Sequence, residues 1–379
     1  DRYREMMVSK REFDFLLVCK RSAVDPLPKL PPRTLVVWCP ACPHATKNMR
    51  PGWERRRHDL RYLDAVFYSV DGNFHSKQCA KPMDVNDVAL TEGAAYFVDQ
   101  ADFERYQKKI GPEEQEESTC HKFVVMGYGG HRGLVTGIAA LLCRHMMLIP
   151  AGIIDLKGAE RYVSQSYVDF AVVSGSQSFA SLRLIKLAYD IACQYMAHFL
   201  RRLRKMEPLV PLLPSLTTAK LPEVQGSVGK FHVNGHIVAC CTFQLPNYLP
   251  GNGRVDSEGS EREWDLLNPS AKATQEMTLG HRHDSLNSIS SDLNVRQLHK
   301  MPQTLSKDHA KAEKWRRESG HYLRFVERKI PLDVIAQWKE EEADWLRQVV
   351  DIKNHKDMAN PYVASGPKGA YLCIFSKQR

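Results

Sequence analysis

The sequence predicts an α/β fold, and three observations carry that reading. Two short apolar runs of strand length, residues 65–70 and 182–187, each lead into an acidic residue, Asp71 and Asp190. The second is followed by a stretch with apolar residues at helical spacing. The chain's 379 residues, 43% of them hydrophobic, supply a large core and suggest two or three domains.

Taken in order, residues 1–28 read as a helix with an apolar stripe of Tyr3, Met6, Met7, Phe13, Leu16 and Leu17, ended by the proline-rich stretch 26–32. The run 34–38 leads into the C-x-x-C pair Cys39 and Cys42, so residues 1–61 read as a small N-terminal module with a basic linker. The main core begins at Tyr62 and extends to about residue 300. Its first strand, 65–70, is rich in β-branched and aromatic residues and runs into Asp71-Gly72-Asn73-Phe74. Residues 112–118 are an acidic loop, and 123–128 and 146–154 are further strand candidates. From 191 to 206, Ile191, Cys193, Met196, Phe199, Leu200 and Leu203 recur near helical spacing. Prolines mark 208–229 as a linker or insert, and 230–241 is apolar and histidine-rich. The turn Gly251-Asn252-Gly253 precedes a helix over 258–267, whereas 269–310 is polar with few signals. Residues 301–379 form a helical C-terminal region, with two amphipathic helices split at Pro331. No repeat of fixed period is visible.

The net charge is +9, and residues 1–62 hold 14 Lys or Arg against 7 Asp or Glu. A second basic cluster, Arg201-Arg202-Leu203-Arg204-Lys205, ends a helix. Such patches neutralise phosphates, which points to nucleic acid as partner; a merely solubilising face is the plainer alternative. No apolar run is long enough to cross a membrane, so no membrane partner is expected. The chain opens on Asp1 without a leader and reads as a fragment of a longer protein. Ten cysteines without disulfide spacing fit a reducing compartment, with thiols buried or metal-bound.

Asp71 and Asp190 follow strands, and Glu258 and Glu261 lie three residues apart on one helix face. Acids converging from strand ends and a helix can hold two Mg²⁺ ions for phosphoryl transfer; singly, each reads equally as a cap or surface charge. His232, His236 and Cys240 recur every four residues and would share a helix face. With Cys143 and His145 they could supply a tetrahedral zinc site, or serve packing and hydrogen bonding. Cys39 and Cys42 are half a zinc site whose other ligands are not evident, with His44 as a substitute ligand. Asn73, Gln194 and Trp264, with Phe74, lie beside the acids, where they would orient carboxylates or fill core.

Several ordered pieces resemble the Kyakuja–Dileera–Zisupton (KDZ) transposase family. Asp71-Gly72-Asn73-Phe74 is similar to that family's D-x-N-F, and Ala188-Tyr189-Asp190-Ile191-Ala192-Cys193-Gln194 to its S-Y-D-I-x-C-Q. Cys143-Arg144-His145, then Asp155-Leu156 and Glu160-Arg161-Tyr162, form another piece. A further one runs from Phe231-His232 through His236, Cys240, Asn247-Tyr248 and Asp256 to Glu258, Glu261, Arg262 and Trp264, and Arg282-His283-Asp284-Ser285-Leu286 resembles R-x-D-T-L. The pair Cys39 and Cys42 resembles the end of the CxC-type cysteine cluster found upstream of such cores. The resemblance implies an RNase H-like core with a mixed sheet flanked by helices. It also implies a DDE set of Asp71, Asp190 and Glu261 or Glu258 holding Mg²⁺ or Mn²⁺, with Glu261 favoured, and nuclear, metal-dependent cleavage and strand transfer on double-stranded DNA; a homo-oligomer is one assembly that the sequence leaves open.

The chain departs from the family pattern at three places. Asp256-Ser257-Glu258 stands where the family has D-G-E, Ala159 is inserted before Glu160, and Asn294-Val295 replaces N-W. These departures suit a domesticated relic that keeps the fold and binds DNA. A metal-dependent nuclease of another RNase H-like family is the third reading.

Overall fold

The computed structural model describes residues 2–27, 30–81, 84, 87–110, 120, 133–157 and 165–361. The expected loop 112–118 and strand 123–128 lie outside these residues, as does Ala159. Helix α1 (Arg2–Ser22) is followed by strand β1 (Val66–Asn73), α2 (Gln100–Ile110), the hairpin β2 (Val135–Cys143) and β3 (Met147–Lys157), and α3 (Gln165–Ser176). Then come β4 (Leu184–Tyr189), α4 (Ala192–Met206), β5 (Glu223–Ser227), α5 (Val238–Phe243), α6 (Gly259–Leu267), α7 (Ala271–Thr274), α8 (Leu279–Glu327) and α9 (Leu332–Gln348).

The five strands form one mixed sheet in the order β3-β2-β1-β4-β5. The β1–β2 and β2–β3 pairs are antiparallel, and β1–β4 and β4–β5 are parallel. Strand β2, absent from the sequence expectations, sits beside β1. Strand β5 falls within the 208–229 stretch read as a linker, which therefore completes the sheet edge. Alternation along β2 explains how one strand serves two cores: Ala139, Leu141 and Cys143 join one cluster, Ile138, Ala140 and Leu142 the other. Phe170 and Val172 of α3 and Phe199 of α4 pack in the first, and Trp264 of α6 and Leu286 and Leu293 of α8 in the second. With both faces covered, β2 and β3 are almost wholly buried, as their continuous apolar runs require.

Residues of the first 61 contribute to both cores. Val37, Cys39, Cys42 and Trp53 belong to the first core, and Val18, Cys19, Leu35 and Val36 to the second. Helix α1 lies on α8, with Arg11 Nη2 2.6 Å from Asp284 Oδ2 and Arg21 Nη2 2.7 Å from Asp292 Oδ1. Helix α8 also corrects the reading of 269–310 as a region without strong signals, and it crosses the expected boundary at residue 300. Its buried face is largely polar. Asp284 accepts from Thr91 N and Oγ1 at 2.9 and 2.7 Å, and Asn287 Oδ1 accepts from Tyr96 N at 3.1 Å. Asn294 Oδ1 accepts from Leu148 N at 2.8 Å. These side chains satisfy backbone groups that no neighbouring strand pairs, so the helix is fixed by geometry as well as by apolar contact.

Candidate functional site

Strands β1 and β4 are parallel neighbours, with Val70 opposite Tyr189, so Asp71 and Asp190 follow at the same level of the sheet. They line one pocket with Ser69, Ser257, Glu258, Ser260 and Glu261. Glu258 stands just before the first residue of α6 rather than inside it, and Glu261 is in its first turn. Two contacts register α6 over β1: Trp264 Nε1 donates to Asp71 Oδ2 at 2.8 Å, and Ser260 Oγ bonds Ser69 Oγ at 3.1 Å. Gly72 N donates to the other Asp71 oxygen at 2.6 Å, which fixes the carboxylate plane.

Glu258 is held from the other side, where its Oε1 accepts from Phe231 N at 2.8 Å. A Cβ on Gly229 would lie 2.3 Å from that oxygen, so a side chain there would displace the Glu258 carboxylate from this position. Ser257, just before Glu258, has φ 67°. The left-handed region costs a serine about 1–2 kcal/mol, which gives a physical reason for a glycine at this place in D-G-E.

His232 reaches three of the pocket's acids. Its Nε2 lies 2.6 Å from Glu261 Oε1, 3.5 Å from Asp190 Oδ1 and 3.6 Å from Glu258 Oε2. Burial pushes the Asp71 carboxyl up to about 6, against the Trp264 and Gly72 donors that favour its charged form. Burial, then the nearby Asp71 charge, pushes Asp190 up to about 7, and burial raises Glu258 as well. For His232, burial works against protonation, but Asp190, Glu258 and Glu261 outweigh it and raise its pKa. The pocket thus holds more negative charge than its surroundings compensate.

That imbalance has a stability consequence. A carboxylate whose folded pKa is raised binds protons more readily in the folded state, so its contribution to stability falls as pH rises from about 4 through 7. Without added divalent cation, Asp190→Asn is expected to stabilise the chain at pH 8, by on the order of 1 kcal/mol after allowance for solvent screening, and to change little at pH 5. Urea unfolding at the two pH values measures this; equal effects at both would contradict it.

The other residues singled out from the sequence distribute differently. Asn73 Nδ2 bonds Asn268 Oδ1 at 2.9 Å and Gln194 Nε2 bonds Cys120 O at 3.0 Å, so neither orients an acid through those contacts. Phe74 packs against the first core. His232, His236 and Cys240 do not share one helix: His236 is extended, with ψ 172°, and α5 begins only at Val238. The break sends His232 to the carboxylates and turns His236 and Cys240 elsewhere.

The Cys and His residues form two groups in place of the single mixed site expected. Cys39, Cys42, Cys143 and His145 make one, and Cys120, Cys193, His236 and Cys240 the other, with the ligand atoms of each within 4.8 Å of one another. Both arrangements can bind zinc. Cys39 and Cys42 therefore find their two further ligands at the β2–β3 turn. His44 is not among them; its Nε2 lies 3.1 Å from Cys39 O. Cys120 was missed from the sequence, where it stands beside an acidic stretch with no patterned neighbour; Cys193 was noted only as a thiol in apolar surroundings. Among the described residues, no helix is long and apolar enough to cross a membrane.

No curated protein and no solved structure matches the chain. The family model of the Kyakuja-Dileera-Zisupton transposase matches residues 64–294, which span β1 to the first third of α8 and include all four pocket acids. With well over half of its length so matched, the chain belongs to the KDZ transposase family.

Proposed function

We propose that this chain is a DNA transposase core that cleaves phosphodiester bonds and transfers strand ends with the help of Mg²⁺ or Mn²⁺. One observation carries the reading: acids from β1, the end of β4 and the start of α6 line one pocket, where burial raises the pKa values of both aspartates. An RNase H-like fold is the finer reading of the sheet. It is supported by the order β3-β2-β1-β4-β5, with antiparallel pairing among the first three strands and parallel pairing among β1, β4 and β5.

The donor set suits a hard divalent cation, since carboxylate oxygens are what Mg²⁺ and Mn²⁺ prefer. Asp71, Asp190 and Glu261 are the proposed ligands. Glu261 is favoured over Glu258 because its side chain is 45% exposed against 13%, which leaves it more open to an incoming cation. Cations bound there stabilise the attacking and leaving oxygens of a phosphate ester. The chain's own contribution is positioning: Trp264 and Gly72 fix the Asp71 carboxylate, and His232 holds Glu261 over Asp190. The reaction is tested with DNA bearing the element's ends and a supercoiled target. Joined products that need divalent cation are the expected result, and binding without cleavage would favour a relic.

DNA is the proposed partner, in the nucleus, held through basic surface. The 201–205 cluster offers less of it than its sequence suggests, because Arg202 is buried and bonds Asp169 Oδ2 at 2.6 Å. The N-terminal surplus and Arg201, Arg204 and Lys205 carry the remainder. With four phosphate contacts, affinity is expected to fall about a hundredfold between 50 and 200 mM salt. Fluorescence anisotropy of labelled duplex measures it, and a flat response would remove the electrostatic interface.

A further inference from the structure

We propose that the two Cys₃His groups are structural zinc centres, so that the chain carries two zinc ions besides the cations of the carboxylate pocket. The distances carry the argument. For Zn–S of about 2.3 Å and Zn–N of about 2.0–2.1 Å at a tetrahedral angle, sulfur and nitrogen stand about 3.5 Å apart. Cys39 and Cys42 Sγ lie 3.4 and 3.6 Å from His145 Nδ1, and Cys120 and Cys193 Sγ lie 3.5 and 3.4 Å from His236 Nδ1.

Hydrogen bonding does not account for this arrangement. One imidazole nitrogen has either one proton or one lone pair in the ring plane, so it serves one sulfur well. Two sulfurs converge on the same Nδ1 in both groups, as ligands around a common ion do. Seven of the eight residues are buried, and His145 is partly so. The thiols also crowd one another. The ligand atoms of each group all lie within 4.8 Å of one another. Three thiolates side by side are unfavourable until a dication stands among them, and zinc supplies that charge.

The two centres close different joints of the fold. Cys39 and Cys42 come from the N-terminal segment, and Cys143 and His145 from the end of β2 and the turn into β3, where Met146 has φ 61°. That centre ties the first 61 residues to the sheet. In the other, Cys193 sits in the first turn of α4, three residues after Asp190, and His236 and Cys240 follow His232 by four and eight residues. It clamps the start of α4 to the segment that delivers His232 to the acids. This positioning role rests on the reading of the carboxylate pocket; the zinc sites do not.

Elemental analysis of the purified chain tests the proposal, with two zinc ions per chain expected. The Cys39→Ser, Cys42→Ser double variant should keep one, and Cys193→Ser or Cys240→Ser should keep the other. Because these variants can unfold, the unmodified chain reconstituted with Co²⁺ gives a second reading: two equivalents taken up, with thiolate charge-transfer bands and tetrahedral d–d bands. A folded chain holding no zinc, or zinc counts unchanged by the cysteine variants, would overturn the proposal. One zinc lost only with Cys39 and Cys42 would overturn the second centre. For the positioning role, Cys240→His, which keeps a ligand atom, should retain both the zinc and Mn²⁺ uptake by the acids, whereas Cys240→Ser loses the zinc and weakens that uptake. Unaltered Mn²⁺ uptake in Cys240→Ser would overturn the positioning role while leaving the zinc count as its own result.

Discussion

Replacing Asp71 or Asp190 by Asn is expected to lower DNA strand cleavage by at least about a thousandfold while leaving DNA affinity within about twofold. Each substitution keeps the side chain's shape but removes a charge that the proposed cations need. Losing several kcal/mol of transition-state stabilisation corresponds to three or more powers of ten in rate. Asp71 carries a second cost, since Trp264 Nε1 and Gly72 N both donate to its carboxylate. Binding survives because the basic surface invoked for DNA lies outside this pocket. Single-turnover cleavage and anisotropy on the same preparations separate the two effects. Cleavage retained in either variant removes that residue from the catalytic set.

The second large effect concerns the core. Asp155 on β3 and Arg282 on α8 are fully buried, with Arg282 Nη1 2.6 Å from Asp155 Oδ1. His283 Nε2 is 2.8 Å from the other carboxylate oxygen, and its ring stacks on Phe97 at 4.2 Å. Arg282 Nη2 also donates to Ser76 O at 2.7 Å. Asp155→Ala strands a guanidinium without its counter-charge, which costs about 3–5 kcal/mol. In a chain of this size the melting temperature is then expected to drop by roughly 5 °C. Burial disfavours the Asp155 charge, but Arg282 and His283 outweigh it and hold the carboxyl well below its ordinary range. Its stabilising contribution is therefore present above about pH 4 and is lost as pH falls below that value toward the depressed folded pKa. Urea midpoints for Asp155→Ala at pH 7 check the first statement; a loss under about 1 kcal/mol would mean that the pair contributes little.

The family motifs serve two purposes that the sequence alone does not separate. Asp71, Asp190 and the Glu258–Glu261 pair were legible, because a strand ending in a carboxylate and a glycine turn before an acidic helix are local patterns. Asp155, Arg282, Asp284 and Asn294 belong to the same ordered pieces, yet they tie α8 to the sheet and its neighbouring loops. Helix α8 was illegible for the same reason. Its buried positions include Ser285, Asn287, Ser288, Ser290, Ser291 and Asn294, so the apolar period that reveals a helix is absent. Strand β2 was obscured by Gly137, Ala139 and Ala140, which carry little strand preference; a Cβ at 137 would meet Asn73 O at 2.6 Å. The zinc ligands were only half legible. Cys39-x-x-Cys42 is a local signal, but its partners lie about a hundred residues away, and the even spacing of His232, His236 and Cys240 suggested a helix that the extended backbone at His236 interrupts.

The claim on which the rest depends is that the Asp71, Asp190 and Glu261 carboxylates bind divalent cations. Mn²⁺ titration followed by electron paramagnetic resonance tests it without any need for DNA or turnover. Mn²⁺ prefers oxygen donors, so the thiolate groups do not compete for it. Saturable uptake by the unmodified chain is expected, lost in an Asp71→Asn, Asp190→Asn double variant and weakening as pH falls below about 7, where Asp190 takes up a proton. Uptake that is equally tight in the double variant would contradict it.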